Sequence, residues 1–80
     1  MKQEAIIESI LSAAEARGRE KTFCPSEIAR ELFPKDWRAH MQEVINVAIS
    51  LQNQGKVLIT QKGKAIDLND IKGPIRIRKT

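Results

Sequence analysis

The sequence predicts a small α+β domain in which three helices precede a β-hairpin. Up to residue 54, apolar residues recur every three or four positions in three segments, which is the spacing of amphipathic helices. From residue 57 on, β-branched residues and an alternation of apolar with charged residues replace that spacing, as in strands with one buried face. Glycines and prolines separate the segments, without repeats or an internal linker. We therefore expect residues 1–80 to form a single domain.

The first helix is predicted over Lys2–Arg17, and Gly18 is expected to end it. The glutamates of this segment fall mostly on the side opposite the apolar residues, so one stripe of the helix is expected to be buried. That stripe comprises Ile6, Ile7, Ile10, Leu11 and Ala14. Residues 18–22 then form a loop that leads to a short β-prone pair, Thr22 and Phe23.

The second helix is short, about nine residues from Pro25 to Phe33. Proline suits the first helical position because its missing N–H has no partner there, and Glu27 places a negative charge in the first turn, which the helix dipole favours. Pro34 ends the helix, since the residue before a proline avoids helical angles. The inward face is predicted to consist of Ile28, Ala29, Leu32 and Phe33.

The third helix is predicted over Trp37–Gln54, with Asp36 as its N-cap and Gly55 as its stop. Its apolar row is Trp37, Met41, Val44, Ala48 and Leu51, which Ile45 and Ile49 widen. Polar side chains recur at near-helical spacing on the opposite face, which we therefore expect to be exposed. They are Arg38, Gln42, Asn46, Ser50 and Asn53.

Two segments are predicted to pair as antiparallel strands, "KVLITQ" at residues 56–61 and "PIRIRK" at residues 74–79. The residues between them, 62–73, then form a long tip, and Thr22 with Phe23 is expected to add a very short third strand. In the last segment a period of two directs Ile75 and Ile77 to the core, and it directs the arginines between and after them outward.

The order of these elements predicts a winged helix-turn-helix fold. A short helix, a tight turn and a longer helix with a polar outer face form the helix-turn-helix arrangement. A hairpin directly after the longer helix is a wing, and its apolar face covers one side of the three-helix core. The sequence therefore predicts an α+β domain with a three-helix core and a C-terminal β-hairpin wing.

The positive charge of the chain is concentrated in its last third. The net charge is +4, and residues 55–80 carry seven basic but only two acidic side chains. Such a concentration favours an anionic partner. We therefore predict that the protein binds double-stranded DNA, as a transcriptional regulator does, with the third helix toward the major groove and the wing on the phosphate backbone.

The predicted DNA contacts form two groups. The helix group is expected to reach base edges, because arginine pairs with guanine and amide side chains pair with adenine; it consists of Lys35, Arg38, Gln42 and Asn46. The wing group is expected to neutralise phosphates without reading the sequence; it consists of Lys62, Lys64, Lys72, Arg76 and Arg78, with Lys79 as a further cation of the same hairpin.

Other interpretations of the same features stay open. Exposed helix faces are polar in most soluble proteins, and Glu43 on this face would repel phosphate. The scaffold also suits a protein-interaction module, in which the wing binds an acidic protein partner or a strand edge extends the partner's sheet. An aromatic content of 4% leaves few stacking platforms for RNA. Whether the module forms a homodimer is not decided by the sequence.

The residues also resemble a known family. The blocks "FCPSEIARELFPKDWR", "VLITQKGKAID" and "KGPIRIRK" are similar to those of small, mostly bacterial winged-helix proteins catalogued as a domain of unknown function. The resemblance extends over about residues 5–79, and it departs from the family pattern at Gln42, where many members have proline, and at Ile45, where they have arginine. It implies the winged-helix fold more firmly than any activity.

The chemically versatile residues do not form a catalytic or metal-binding pattern. Cys24 is the only cysteine and His40 the only histidine, too few ligands for a structural zinc site. Cys24 is either a reactive thiol at a helix start or a capping, half-buried residue beside Phe23. His40 is expected at the edge of the core with a hydrogen-bonded neighbour, and Trp37 is expected in the core. Without a nucleophile–base arrangement or a glycine-rich phosphate loop, we expect a non-enzyme without metal or cofactor.

The compartment follows from cysteine content and hydropathy. A single cysteine excludes an intrachain disulfide framework, which favours a reduced cytoplasm. No apolar run approaches the about 18 residues that a membrane helix needs. Glu4 and Glu8 interrupt the apolar residues of the first segment, where a signal peptide needs a continuous run. We therefore expect a soluble cytoplasmic protein.

Overall fold

The computed structural model describes residues 2–61, 64–65 and 75–80. Its class is α+β, as predicted. Within the described ranges, no helix is long and apolar enough to cross a membrane. The elements are α1 (Lys2–Arg17), α2 (Pro25–Leu32), a 3₁₀ segment (Trp37–His40), α3 (Met41–Asn53), β1 (Val57–Gln61), β2 (Lys64–Ala65) and β3 (Arg76–Lys79).

Helix α1 has the bounds predicted for it, and both helices that precede a glycine end in a left-handed residue. Gly18 has a φ of 74°, and its N–H donates to the carbonyl of Ala14 at 2.9 Å. Gly55 has a φ of 77°, and the following N–H of Lys56 donates to the carbonyl of Leu51 at 2.9 Å. These bonds satisfy carbonyls that the end of a helix would otherwise leave without partners.

One hydrophobic core joins the helices to the sheet. The predicted stripe of α1 divides into three buried residues and two half-buried ones, Ile7 and Leu11. Val47 of α3 is only 5% exposed although it lies outside the predicted apolar row, because α3 packs against α1, α2 and β1 and therefore buries a wider arc. The buried hydrophobic residues are Ile6, Ile10, Ala14, Phe23, Ile28, Ala29, Val44, Val47, Ala48, Leu51, Val57, Ile59, Ile75 and Ile77.

The third helix differs from its prediction at its start. Its first turn is a 3₁₀ segment, and the α-helix proper begins at Met41. Asp36, predicted as the N-cap, makes no side-chain capping bond. Its carboxylate lies instead 3.1 Å from Nε2 of His40, while its backbone carbonyl accepts from the N–H of Ala39 at 3.0 Å. The carboxylate of Asp36 therefore contacts the imidazole and does not cap the helix, while its carbonyl closes an i+3 turn of the kind found in 3₁₀ helices.

The sheet has the strand order β2-β1-β3 and is antiparallel throughout. The predicted pairing of the two long segments is confirmed, with Ile59 opposite Ile77. Within the predicted tip, Lys64 and Ala65 pair with β1 as a third strand, while residues 62–63 and 66–73 lie outside the described residues. Phe23 forms a single bridge with Ile77 through two backbone hydrogen bonds of 2.8 Å, which confirms the short strand pairing expected there.

Candidate nucleic-acid interface

Helix α3 presents a row of exposed uncharged polar side chains. Gln42, Asn46, Ser50 and Asn53 are all exposed, as predicted. Nε2 of Gln42 donates to Oδ1 of Asn46 at 2.9 Å, so the two amides form a pair along the helix. This bond uses one of the two amide N–H donors of Gln42 and leaves its carbonyl oxygen and the whole Asn46 amino group able to bond a ligand.

Arg38 and Lys35 precede this row and do not continue it. Both are exposed, with Lys35 in the turn before the 3₁₀ segment and Arg38 within that segment. A residue turns about 120° in a 3₁₀ helix against about 100° in an α-helix. The extra rotation between Arg38 and Met41 moves the arginine away from the line of Gln42 and Asn46. The four residues predicted as one helix group therefore form two neighbouring groups.

The imidazole of His40 contacts two carboxylates beside this surface. Its Nε2 lies 3.1 Å from Oδ2 of Asp36, and its Nδ1 lies 3.2 Å from Oε1 of Glu43. Its ring stacks on Phe33, with the centroids 3.8 Å apart. Its side chain is 12% exposed, so the predicted place at the edge of the core is confirmed. A neutral imidazole donates to one of these carboxylates, whereas an imidazolium donates to both and offsets their negative charge.

Two arginines make cation–π contacts with the ring of Trp37. Cζ of Arg30 lies 4.3 Å from the ring centroid, and Cζ of Arg38 lies 5.1 Å from it. Trp37 itself is half-buried and packs against the core, so the prediction of core packing holds for part of the side chain only. Sequence reasoning did not select Arg30, because the approach of α2 to Trp37 depends on the turn between them.

The wing residues that the structure describes lie on two strands. Lys64 is in β2, and Arg76 and Arg78 are in β3; Lys62 and Lys72 lie outside the described residues. The predicted orientation of the last strand, with isoleucines toward the core and arginines outward, is confirmed. Ile75 and Ile77 are buried, whereas Arg76 is exposed and Arg78 is half-buried.

The guanidinium groups of β3 bind the loop that follows α1. Nε and Nη2 of Arg76 donate to Oγ1 and the carbonyl oxygen of Thr22, at 3.0 and 3.1 Å. Nη1 of Arg78 donates to the carbonyl oxygen of Arg19 at 3.2 Å. Lys79, on the same strand, pairs instead with Glu15 at 2.7 Å. The two arginines are thus held in fixed positions by the protein itself.

This loop adds cations that sequence reasoning did not assign to the interface. Arg19 and Lys21 are exposed, and the bond from Arg78 places the backbone of Arg19 beside β3. The signal that would have found them is the predicted pairing of Phe23 with the last strand, since that pairing brings the preceding loop alongside it. The basic surface therefore extends beyond the hairpin.

Glu27 is the carboxylate at the centre of the contacts between α1 and α2. It accepts from Nη2 of Arg17 at 2.7 Å and from the backbone N–H of Cys24 at 2.8 Å. The Arg17 bond, then the Cys24 bond, hold the pKa of Glu27 below its ordinary value, and the positive charge of Arg76 adds to the effect. The same hydrogen bond raises the pKa of the Arg17 guanidinium.

Cys24 occupies the N-cap position of α2 and is half-buried, as one of the two interpretations of this residue predicted. The hydroxyl of Ser26 donates to its Sγ at 3.1 Å. A serine hydroxyl is not a general base, and nothing here tests the other interpretation, a reactive thiol.

The comparisons with known proteins concern the chain as a whole. Among curated proteins there is no match. The family comparison agrees with the resemblance seen in the sequence, in that it also leads to a domain of unknown function. Its match spans residues 3–80, nearly the full length of the chain. By this match, the chain belongs to the family described as Protein of unknown function (DUF3253).

Proposed function

We propose that this protein is a winged-helix DNA-binding protein of the cytoplasm, such as a transcriptional regulator. The observation that carries the proposal is the exposed polar row of α3, an unbroken series of side chains able to bond base edges on a helix whose other side packs against the core. The order of elements supports it: a short helix, a tight turn, a longer helix and an antiparallel sheet.

The dimensions of α3 suit a major groove. The helix has 13 residues, which at about 1.5 Å per residue is about 20 Å of helix. The major groove is about 12 Å wide and admits a helix of this kind. In this arrangement Gln42 and Asn46 face base edges, and their mutual hydrogen bond fixes both amides before DNA arrives.

The arginines of β3 support a backbone contact. A guanidinium has five N–H donors in a fixed fork, and Arg76 uses two of its donors on Thr22. The remaining donors are already oriented, so a phosphate meets them at little further cost in side-chain entropy. We expect the lysines predicted for the hairpin, Lys62, Lys64 and Lys72, to contact phosphates of the backbone as well.

The test is a salt titration of binding to a labelled duplex of mixed sequence, followed by fluorescence anisotropy. We expect micromolar or tighter binding at low salt, and a linear fall of log affinity with log salt of about 0.9 per phosphate contacted. Replacing Arg76 and Arg78 together by glutamine should reduce that slope by about 2.

Lys79→Gln is the control, because it removes one positive charge from the same strand, a charge that Glu15 already neutralises. Its slope should stay close to that of the wild type. Circular dichroism confirms that each variant is folded. Absence of duplex binding at low salt would overturn the proposal.

A second candidate is a protein-interaction module, which the open edge of the sheet favours. In the order β2-β1-β3, strand β2 has a neighbour on one side only among the described residues. Such an edge accepts a strand from an acidic protein partner, and the basic hairpin attracts it. A single dominant partner captured equally well after nuclease treatment would favour this candidate over DNA binding.

A further inference from the structure

Three side chains gather at the turn between α2 and the 3₁₀ segment. The guanidinium carbons of Arg30 and Arg38 lie 4.3 and 5.1 Å from the centroid of the Trp37 ring. Both arginines are exposed, whereas Trp37 packs against the core. A cation within about 6 Å of an aromatic ring is attracted to it. The tryptophan ring therefore contacts two surface cations that come from different helices.

Neither arginine is neutralised by the protein in the part of the chain that the structure describes. The carboxylates closest in sequence bind elsewhere: Glu31 accepts from Ser9 of α1 at 3.0 Å, and Asp36 lies against His40. In the described residues, the ion pairs of arginine and lysine are Arg17–Glu27 and Lys79–Glu15. Two like charges near one ring repel each other, and an anion bound by both reduces that repulsion.

The chemistry of these side chains selects a phosphate oxyanion. Arginine forks match phosphate geometry, and a guanidinium that stacks on a ring keeps its N–H donors for such a ligand. Lys35 is exposed in the same turn and adds a third positive charge. The 3₁₀ segment that carries Arg38 leads directly into α3, so a duplex seated on the exposed row of that helix brings its backbone near these cations.

The 3₁₀ segment also separates Arg38 from the side chains that face base edges. Gln42 bonds Asn46, whereas Arg38 contacts Trp37. We propose that Arg30 and Arg38, held against Trp37, form a binding site for a backbone phosphate of duplex DNA, so that Arg38 positions the duplex and does not read its sequence. This inference rests on the proposed function and adds Arg30 to its contacts.

Trp37 makes the site directly observable, because it is the only tryptophan of the chain. A mixed-sequence duplex is titrated into the protein, and two signals are recorded: the anisotropy of the labelled DNA and the emission of Trp37. If the site is occupied, both signals change with the same midpoint. Inorganic phosphate and a single strand of the same length, titrated separately, should each need far higher concentrations.

Variants then distinguish side chains that position the duplex from side chains that read its sequence. Arg30→Ala and Arg38→Ala should each weaken binding to all duplexes by a similar factor and reduce the salt slope by about 1. Arg30→Lys keeps the charge and should keep the slope. Selection from a random duplex pool should yield the same preferred sequences for these variants as for the wild type, whereas Gln42→Ala should change them.

The outcomes distinguish this inference from the proposed function. Duplex binding with unchanged Trp37 emission, and with slopes for both alanine variants equal to that of Lys79→Gln, overturns the phosphate site and leaves DNA binding intact. A changed base preference in Arg38→Ala shows that Arg38 reads sequence, and it overturns the positioning role. Absence of duplex binding at low salt overturns both. Coupled signals with reduced slopes and unchanged preference support the site.

Discussion

Replacing Glu27 by glutamine should destabilise the protein, and the loss should depend on pH. Glutamine keeps the size of the side chain but removes the charge that two groups contact, the guanidinium of Arg17 and the backbone N–H of Cys24. The first contact joins α2 to the end of α1, and the second satisfies a donor at the start of α2. The substitution therefore weakens the junction of two helices without opening a cavity.

The expected magnitude follows from the two contacts. The side chains of Arg17 and Glu27 are 39% and 42% exposed, so solvent screens their attraction and the pair adds little to the stability. A bond to an N–H at a helix start is typically worth about 1 kcal/mol, and glutamine retains part of it. Together we expect a loss of about 1 kcal/mol, or a melting temperature lower by about 4–8 °C in a domain of this size.

The pH dependence has a definite sign. The pKa of Glu27 is lowered in the folded protein, chiefly by the Arg17 bond. Its stabilisation is therefore fully present above the unfolded-state pKa of about 4.3, and it is lost as the pH falls through the lower folded value. The stability difference between wild type and variant should be constant near neutral pH and should disappear in acid.

Urea unfolding at a series of pH values measures this difference. Glu20→Gln is the matched control, since it removes the same charge from an exposed loop residue that has no ion pair within the described residues. An equal loss in the Glu27 and Glu20 variants at neutral pH, or a difference that persists in acid, would refute this account of Glu27.

Three further predictions concern stability. Ile77→Ala removes a fully buried side chain and should cost about 2–5 kcal/mol in urea unfolding. The half-buried Leu58, changed to alanine, should cost less. In the folded protein, the backbone N–H of Ile59 donates to Oε1 of Gln52 at 2.6 Å. Gln52→Leu removes this acceptor and should cost about 1 kcal/mol of stability. Hydrogen exchange should speed up at the Ile59 amide more than at other amides of β1. Gly55→Ala meets no atom within 4 Å but must adopt a φ of 77°, so it should cost about 1–2 kcal/mol by thermal melting, and Gly55→Asn should cost less.

The predictable parts of the fold are those with local signals at both ends. Helix α1 carries its apolar period throughout and a glycine at its end, and its bounds are as predicted. The first turn of the third helix carried a conflicting signal, because Asp36 serves equally as a cap or as a partner for His40 four positions on. Over four residues, periods of 3.0 and 3.6 place apolar side chains too similarly to be told apart.

The candidate interface also has a part that the sequence predicts and parts that it does not. The polar row of α3 was predictable, since it is the complement of a buried stripe on a single helix. The bonds from Arg76 to Thr22 were not, because these residues are 54 positions apart and only the completed sheet brings them together. The approach of Arg30 to Trp37 likewise depends on the path of a turn, which residue spacing does not specify.

The bridge between Phe23 and Ile77 has a consequence for the speed of folding. It joins parts of the chain that lie on either side of α2, α3 and β1, so its formation closes a very long loop and follows a slow conformational search. Both side chains are fully buried, and the helices lack a complete surface to pack against until they meet. This domain is therefore expected to fold more slowly than a three-helix bundle of the same length, whose contacts are mostly local.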